Sequence, residues 1–413
     1  MGESWLEKMQ DDRDHRSIVR RAPVTNSATQ PLVTPVWPAT AWTAESPDAL
    51  DAVYEGRAPG YTYAREGHPN AAVLASKIDW LEGAEAGTIT GSGMAALSAV
   101  LLGLLCEGDH VVGGAHLYGR SLRLLRQELP RMGFAVSLSD AADADAIALA
   151  LRPETRMIVV ETVTNPMLQV ADIEGIAALA RREEVLLVVD NTFTTPRAFR
   201  PFDHGADIVI HSVTKLLAGH SDVTLGYAGT RDPDTAQAIA EAAASWGLTP
   251  APWECWLAER GLHSFALRYD RAQENAAELA AHLAGLPGIR RVIYPGLPGH
   301  PQHARAARLF AGNFGTMLGF ELEGGREAAN TLVRAARHIP FAPTLGDVAT
   351  TLSHPLSSSH RALRPTEQRM LGLSEGFFRV SVGIEDIDLV KDELEAAVAA
   401  AFAQAGPSRE AAG

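Results

Sequence analysis

Cysteine is nearly missing. Cys106 and Cys255 stand alone in a chain of 413 residues. Two are too few for a disulfide scaffold at this length, and their scarcity fits a reducing compartment. Neither CxxC nor HExxH occurs, so no metal site is expected. Basic residues are in deficit, 36 against 50 acidic ones, for a net charge of −14. That balance argues against nucleic acid and anionic membranes as partners. Leu97 to Leu105 is apolar but far too short to span a bilayer, and reads as a buried helix with a break at Gly103. The opening stretch, MGESWLEKMQDDRDHRSIVRR, is charged throughout and holds no apolar core of the kind an export signal needs. These absences lead us to expect a soluble, cytoplasmic protein.

What remains is ordinary globular material. The hydrophobic fraction is 46% and the charged fraction 21%, which excludes fibrous and wholly disordered chains. The length allows two to three domain-sized units. Residues 1–30 are polar and carry no sustained period, and PLVTPVWPATAWT (31–43) is held extended by its prolines. HVVGG (110–114), FAVSLS (134–139), RMIVVET (156–162), VLLVVDNT (185–192) and DIVIHSVTK (207–215) read as strands buried on both faces. Helical patterns such as 120–132 and 172–183 lie between them, which is the signature of a mostly parallel α/β sheet. Residues 263–285 have the spacing of a long connecting helix. After about residue 300 the pattern changes. NFGTMLGFELEG (313–324) and FFRVSVG (377–383) alternate more, and 384–404 forms an amphipathic closing helix, so this part reads as a smaller α+β domain. The closing AGPSREAAG should fray.

Three features carry chemistry. Lys215 ends the run HSVTK, beside the hydroxyls of Ser212 and Thr214. An amine desolvated at such a strand end has a lowered pKa and becomes a nucleophile toward a carbonyl. Asp190 ends VLLVVD, on the ligand-binding rim of an open α/β sheet. A strand-end Asp one step before a strand-end Lys is the pair that pyridoxal phosphate needs. The carboxylate holds the proton on the ring nitrogen, and the lysine carries the cofactor's aldehyde carbon. A phosphate site should accompany them, and TGSGMAAL (90–97) supplies one: Gly91, Ser92 and Gly93 open a helix at about Met94, whose free N–H groups suit an anion.

At this point the sequence resembles the Cys/Met-metabolism pyridoxal-phosphate enzymes of fold type I: cystathionine γ-synthases, cystathionine γ- and β-lyases, methionine γ-lyases and acylhomoserine sulfhydrylases. The resemblance runs from about Pro31 to about Ala400. It is carried by YTYAREGHPN (61–70), GSGMAAL (91–97), HLYGRSLRL (116–124), ETVTNP (161–166), VVDNTF (188–193), HSVTKLLAGHSD (211–222), RGLHSFALR (260–268), YPGLPGHPQH (294–303) and SEGFFRVSVGIEDIDLV (374–390). It implies an α/β fold with a mostly parallel central sheet, helices on both faces and a smaller C-terminal α+β domain. The implied division is an arm over 1–65 contacting a neighbouring subunit, a cofactor-binding domain over 66–262 and a C-terminal domain over 263–413.

By the same resemblance, Lys215 is the cofactor-carrying lysine that also shuttles protons between Cα and Cβ, and Asp190 is the partner of the ring nitrogen. Ser92, Gly93 and Met94, with Ser212 and Thr214, cradle the phosphate. Tyr118 stacks on the ring and assists proton transfer to the leaving group. Asn165 lies near the cofactor's 3′-oxygen, and Arg379 forks onto the substrate α-carboxylate. Tyr63 and Arg65 reach the phosphate of a neighbouring subunit, which implies a homodimer with shared active sites, usually doubled to a homotetramer. The substrate is a small amino acid.

The departures bear on which amino acid. Leu216 stands where the family usually has an aromatic residue, HPN (68–70) replaces NPT, and Thr344 replaces a serine. Pro343 and Thr62 replace glutamates that attract the distal ammonium of cystathionine in the cystathionine γ-enzymes. Arg120, with Arg123 one turn further on, follows Tyr118-Gly119 where Gly or Cys is common. The expected activity is therefore C–S lysis, or γ-elimination or γ-replacement, on a sulfur-containing or homoserine-derived amino acid, without selectivity for cystathionine. A cystathionine enzyme proper and a β-eliminating cysteine-conjugate lyase share the same residues. An aminotransferase would not need a leaving-group acid such as Tyr118, and a non-catalytic scaffold would not need Lys215, Asp190 and Arg379 together.

Overall fold

The computed structural model describes residues 28–361 and 364–405. The first part of the expected arm and the closing AGPSREAAG lie outside the described residues, apart from the start of that last stretch. Among the described residues, those from Val36 onward form one compact unit and those up to Pro35 belong to another. Among the described residues no helix is long and apolar enough to cross a membrane.

The larger unit is built on a seven-stranded sheet. Its strands are β1 (Ala86–Thr90), β2 (His110–Gly114), β3 (Ala135–Ser139), β4 (Thr155–Glu161), β5 (Leu186–Asp190), β6 (Ile208–Ser212) and β7 (Gly226–Thr230), in the order β1-β7-β6-β5-β4-β2-β3. Strands β3, β2, β4, β5 and β6 pair in parallel, and β7 runs antiparallel to both β6 and β1. The near-continuous apolar runs follow from burial on two faces. Ile158, Val160, Leu187, Val189 and Val209 enter one core, while their alternate neighbours Met157, Val159, Val188, Ile208 and Ile210 enter the other. Strands β1 and β7 are not in the sequence reading. AGTIT and GYAGT have too few large apolar residues for a strand signal.

Helix α1 (Pro69–Glu82) shows what HPN does. His68 is its N-cap, its Nδ1 accepting from the Ala71 N–H at 3.2 Å, and Pro69 sits at the first helical position. Helix α2 (Gly93–Leu104) opens at the cap Ser92, whose Oγ accepts from the Ala95 N–H at 3.0 Å. The helix includes Gly103 and ends one residue later, at Leu104. A Cβ on Gly103 would lie 2.7 Å from the Ala238 carbonyl oxygen, so the glycine permits close helix packing. The helix expected over 120–132 is interrupted: α3 (Gly119–Arg123) passes into a π turn at Leu124–Glu128, then one last α turn at Leu129–Arg131, with Pro130 unable to donate to the i−4 carbonyl. Helix α4 (Ile173–Arg182) covers one face of the sheet and α5 (Pro233–Ser245) lies against α2.

Helix α6 (Phe265–Ala284) is the expected connector. Phe265 and Tyr269 pack under the turn after β6, while Ala276, Leu279, Ala280 and Leu283 enter a second core. That core lies against an antiparallel sheet of β8 (Ile289–Ile293), β9 (Met317–Leu322), β10 (Thr351–Ser353) and β11 (Phe377–Ser381), ordered β10-β11-β9-β8. Phe320 and Phe378 stack in it at 5.5 Å. Helices α7 (Gly325–Ala335) and α8 (Ile387–Ala405) close its other side.

Candidate active site

The C-terminal ends of β4, β5 and β6 deliver Glu161, Asp190 and Ser212 to one edge of the large sheet, the edge where open α/β sheets bind ligands. A cavity of about 980 Å³ opens there. Its walls include Ser92, Gly93, Met94, Tyr118, Arg120, Asn165, Asp190, Ser212, Thr214, Lys215, Pro343, Thr344 and Arg379. Residues spread over nearly three hundred positions thus share one space.

One end suits an anion. Helix α2 opens in the cavity wall with Gly93 and Met94, whose N–H groups precede the first ones bonded back to Ser92. Gly93 approaches β6 so closely that a Cβ would sit 2.7 Å from the Ser212 Cβ and 2.9 Å from its Cα. The Ser212 hydroxyl therefore stands beside the helix start. The Thr214 hydroxyl both donates to the Leu225 carbonyl (3.1 Å) and accepts from the Leu225 N–H (2.9 Å), which fixes the turn after β6.

At the floor, Asp190 Oδ1 accepts from the Thr192 N–H at 3.0 Å and from its hydroxyl at 2.5 Å. Thr192 Oγ1 in turn accepts from the Ser212 N–H at 2.9 Å. Burial pushes the Asp190 carboxyl upward, while the Thr192 donors and the nearby His211 hold it down. Beside it in the ladder lies Glu161. Burial, then the Asp190 charge, pushes Glu161 well above the usual carboxylate range, against the pull of two backbone donors.

Lys215 sits three residues past the end of β6, in a turn rather than at the strand end. Arg268, buried on α6, holds that turn by donating to the carbonyls of Leu216 (2.9 Å) and Leu217 (3.0 Å). The aromatic-to-leucine departure at Leu216 is a core position, 5% exposed. Lys215 Nζ reaches Thr344 Oγ1 at 3.5 Å. Burial first, and the Arg379 charge second, lower its pKa, so more of the amine is unprotonated and nucleophilic.

Arg379 comes from β11 and is 5% exposed. Its Nη1 donates to Asn165 Oδ1 at 2.9 Å and its Nη2 to the Thr344 carbonyl at 2.7 Å. Its Nε is buried without a partner, a donor that a ligand carboxylate would satisfy. Burial lowers the guanidinium to about 10, with Tyr118 opposing the shift. Thr344 and Pro343 line the cavity next to Lys215, and Arg120 and Arg123 line it beyond Tyr118.

Tyr63 and Arg65 do not line this cavity. They are exposed, with Arg65 over the Tyr63 ring at 5.3 Å and bonded to Glu66 at 3.2 Å. The sequence reading missed Thr192, Glu161, Arg268 and His360. A Glu ending RMIVVE repeats the pattern that singled out Asp190, and a hydroxyl two residues after an Asp is a turn signal. Arg268 carries no local signal for its hold on the Lys215 turn, because Leu216 and Leu217 are remote in sequence, and the His360 ring bonds its neighbour Ser359, which marks no site.

Residues 17–399 match the family described as Cys/Met metabolism PLP-dependent enzyme. The chain is 37% identical over 338 residues to a cystathionine beta-lyase of Bacillus subtilis, covering 82% of this chain and 86% of the relative. It is 38% identical over 339 residues to an L-methionine gamma-lyase of Fusobacterium nucleatum, with 81% and 85% covered. A crystal structure of cystathionine gamma synthase from Xanthomonas oryzae in complex with cystathionine superposes with a TM-score of 0.86 at 35% identity, over 92% of this chain and 95% of that one. The chain belongs to the Cys/Met metabolism family of pyridoxal-phosphate-dependent enzymes, of fold type I, and its cofactor is pyridoxal 5′-phosphate. The cavity fits that group: a helix start and a hydroxyl brought together by a glycine at one end, a carboxylate at the floor, and a desolvated amine between.

Proposed function

We propose that this enzyme carries out C–S lysis, or γ-elimination or γ-replacement, on a sulfur-containing or homoserine-derived amino acid whose distal group is neutral or anionic. The observation that carries this reading is the charge of the cavity wall. Among the described residues, five arginines line it, and the carboxylates that do so, Glu161 and Asp190, lie at the floor. Pro343 and Thr344, next to Lys215, hold no negative charge for a distal ammonium, and Arg120 repels one. An ammonium about 4 Å from a carboxylate gains on the order of 4 kcal/mol at an effective dielectric of about 20, before desolvation. This chain forgoes that gain.

When bound, pyridoxal phosphate supplies an electron sink that stabilises negative charge at the substrate Cα and Cβ. The Gly93 and Met94 N–H groups with the Ser92 and Ser212 hydroxyls hold its phosphate, and Asp190 holds the proton of its ring nitrogen. Arg379 binds the substrate α-carboxylate through the guanidinium edge that ends in the unpartnered Nε. Lys215, with its lowered pKa, would take the proton from Cα, and a second proton, lost from Cβ, would let the Cγ substituent leave. Tyr118 gives a proton to the departing Cγ substituent. Tyr63 and Arg65 complete the site of the adjacent subunit in a homodimer.

The test is the ratio of kcat/KM for cystathionine against a homocysteine- or acylated homoserine-type substrate, in wild type and in Arg120→Gly. We expect wild type to favour the second and the ratio to move toward cystathionine in the variant. A wild-type preference for cystathionine, or an unmoved ratio, defeats the reading.

A further inference from the structure

Glu161 is a buried carboxylate with no assigned task, 7% exposed at the end of β4. Its two oxygens go to two different segments. Oε1 accepts from the Tyr118 N–H at 2.6 Å, and Oε2 accepts from the Asn165 N–H at 3.2 Å. Tyr118 opens α3 as a cap without any side-chain bond of its own, so the Glu161 oxygen is what ties down its backbone from outside the helix. Asn165 passes the constraint on, since its Oδ1 accepts from Arg379 Nη1 at 2.9 Å. Strand β4 is paired on both sides, with β2 and β5, so one carboxylate at its tip sets two groups that lie beyond the strands.

We propose that Glu161 is a positioning residue: it fixes Tyr118 over the cofactor site and, through Asn165, orients the Arg379 guanidinium toward the substrate carboxylate. The role rests on two accepting oxygens, one for each segment, although burial and the neighbouring Asp190 favour the neutral carboxyl. An amide would turn its NH2, a donor without acceptor capacity, toward one of the two N–H groups and could serve only the other. No residue of the sheet other than Glu161 is placed between both segments in this way among the hydrogen bonds described.

This inference rests on reading Arg379 as the carboxylate-binding fork. The test therefore measures, in the holoenzyme, how strongly an unreactive amino acid is preferred over its amide, read from the change in absorbance of the bound cofactor. In Glu161→Gln the preference for the acid should fall about tenfold, the scale of one misplaced charged hydrogen bond, and the cofactor's circular dichroism band should change as Tyr118 shifts. A residue that only supported the fold would weaken acid and amide alike. Asn165→Ala should show the same loss of acid preference, and Glu161→Gln with Asn165→Ala should show no further loss. Losses that add, or an unchanged preference in a folded Glu161→Gln, overturn the proposal. If Glu161→Gln does not fold, Glu161→Asp keeps the carboxyl group but cannot span both N–H groups, and should lose the preference in part; an undiminished preference there is equally fatal. Arg379→Lys is the separate control. If it leaves the wild-type preference intact, the carboxylate fork itself is wrongly identified and the failure lies there.

Discussion

A single methyl group at Gly93 should damage cofactor binding more than it damages the fold. The Cβ of an alanine would lie 2.7 Å from the Ser212 Cβ and 2.9 Å from its Cα. Ordinary carbon contacts lie at about 3.5–4.0 Å, so the shortfall is about 1 Å. Ser212 cannot escape by rotating, because the clash is with its backbone and first side-chain carbon, and it is locked in β6 opposite Gly226. Either the start of α2 or the end of β6 must retreat. Overpacking of this kind costs about 1–3 kcal/mol of folding stability. The phosphate depends on the helix start and the Ser212 hydroxyl being together. Loss of one charged hydrogen bond, about 1.5–3 kcal/mol, weakens binding about 10- to 100-fold. Urea unfolding of cofactor-free Gly93→Ala gives the first quantity, and equilibrium titration with pyridoxal phosphate gives the second. A folded Gly93→Ala that binds the cofactor within about twofold of wild type, a difference of under ~0.5 kcal/mol, would refute the reasoning.

Two other outcomes are expected. Mixing Arg65→Ala with Lys215→Ala chains should restore activity in hybrid dimers, to about half at most, because one of the two sites then holds both residues. Verified hybrids without activity would put Arg65 in its own subunit's site. His360, 2% exposed in the cavity wall, is held down to about 4 by burial and then by the Arg379 charge. The unfolded chain takes up this proton below pH ~6.5 and the folded chain only near 4, so stability should fall as pH drops through that window, by about 3 kcal/mol in full. Urea midpoints at neutral and acid pH should converge in His360→Asn relative to wild type; an identical pH slope in both would remove His360 as the cause.

The strand ends and the helix start were legible because they rest on local chemistry. VLLVVD, GSGM and HSVTK each combine an apolar run with a polar terminus, and a buried parallel strand leaves few other readings of such a run. The same local logic erred where a neighbour decides the outcome. Gly103 looks like a helix breaker in isolation, yet it lies inside the last turn of α2 and α5 packs against it. Strands β1 and β7 have little apolar signal, since their form comes from pairing with each other and with β6. The sequence also determined the families of residue at the site, but not how they are held. Thr192 under Asp190, Arg268 under the Lys215 turn and Glu161 between Tyr118 and Asn165 are hydrogen-bond partnerships, two of them between remote segments. Only the folded chain could decide those, because a pairing across distant positions leaves no periodicity, spacing or composition in the sequence to be read.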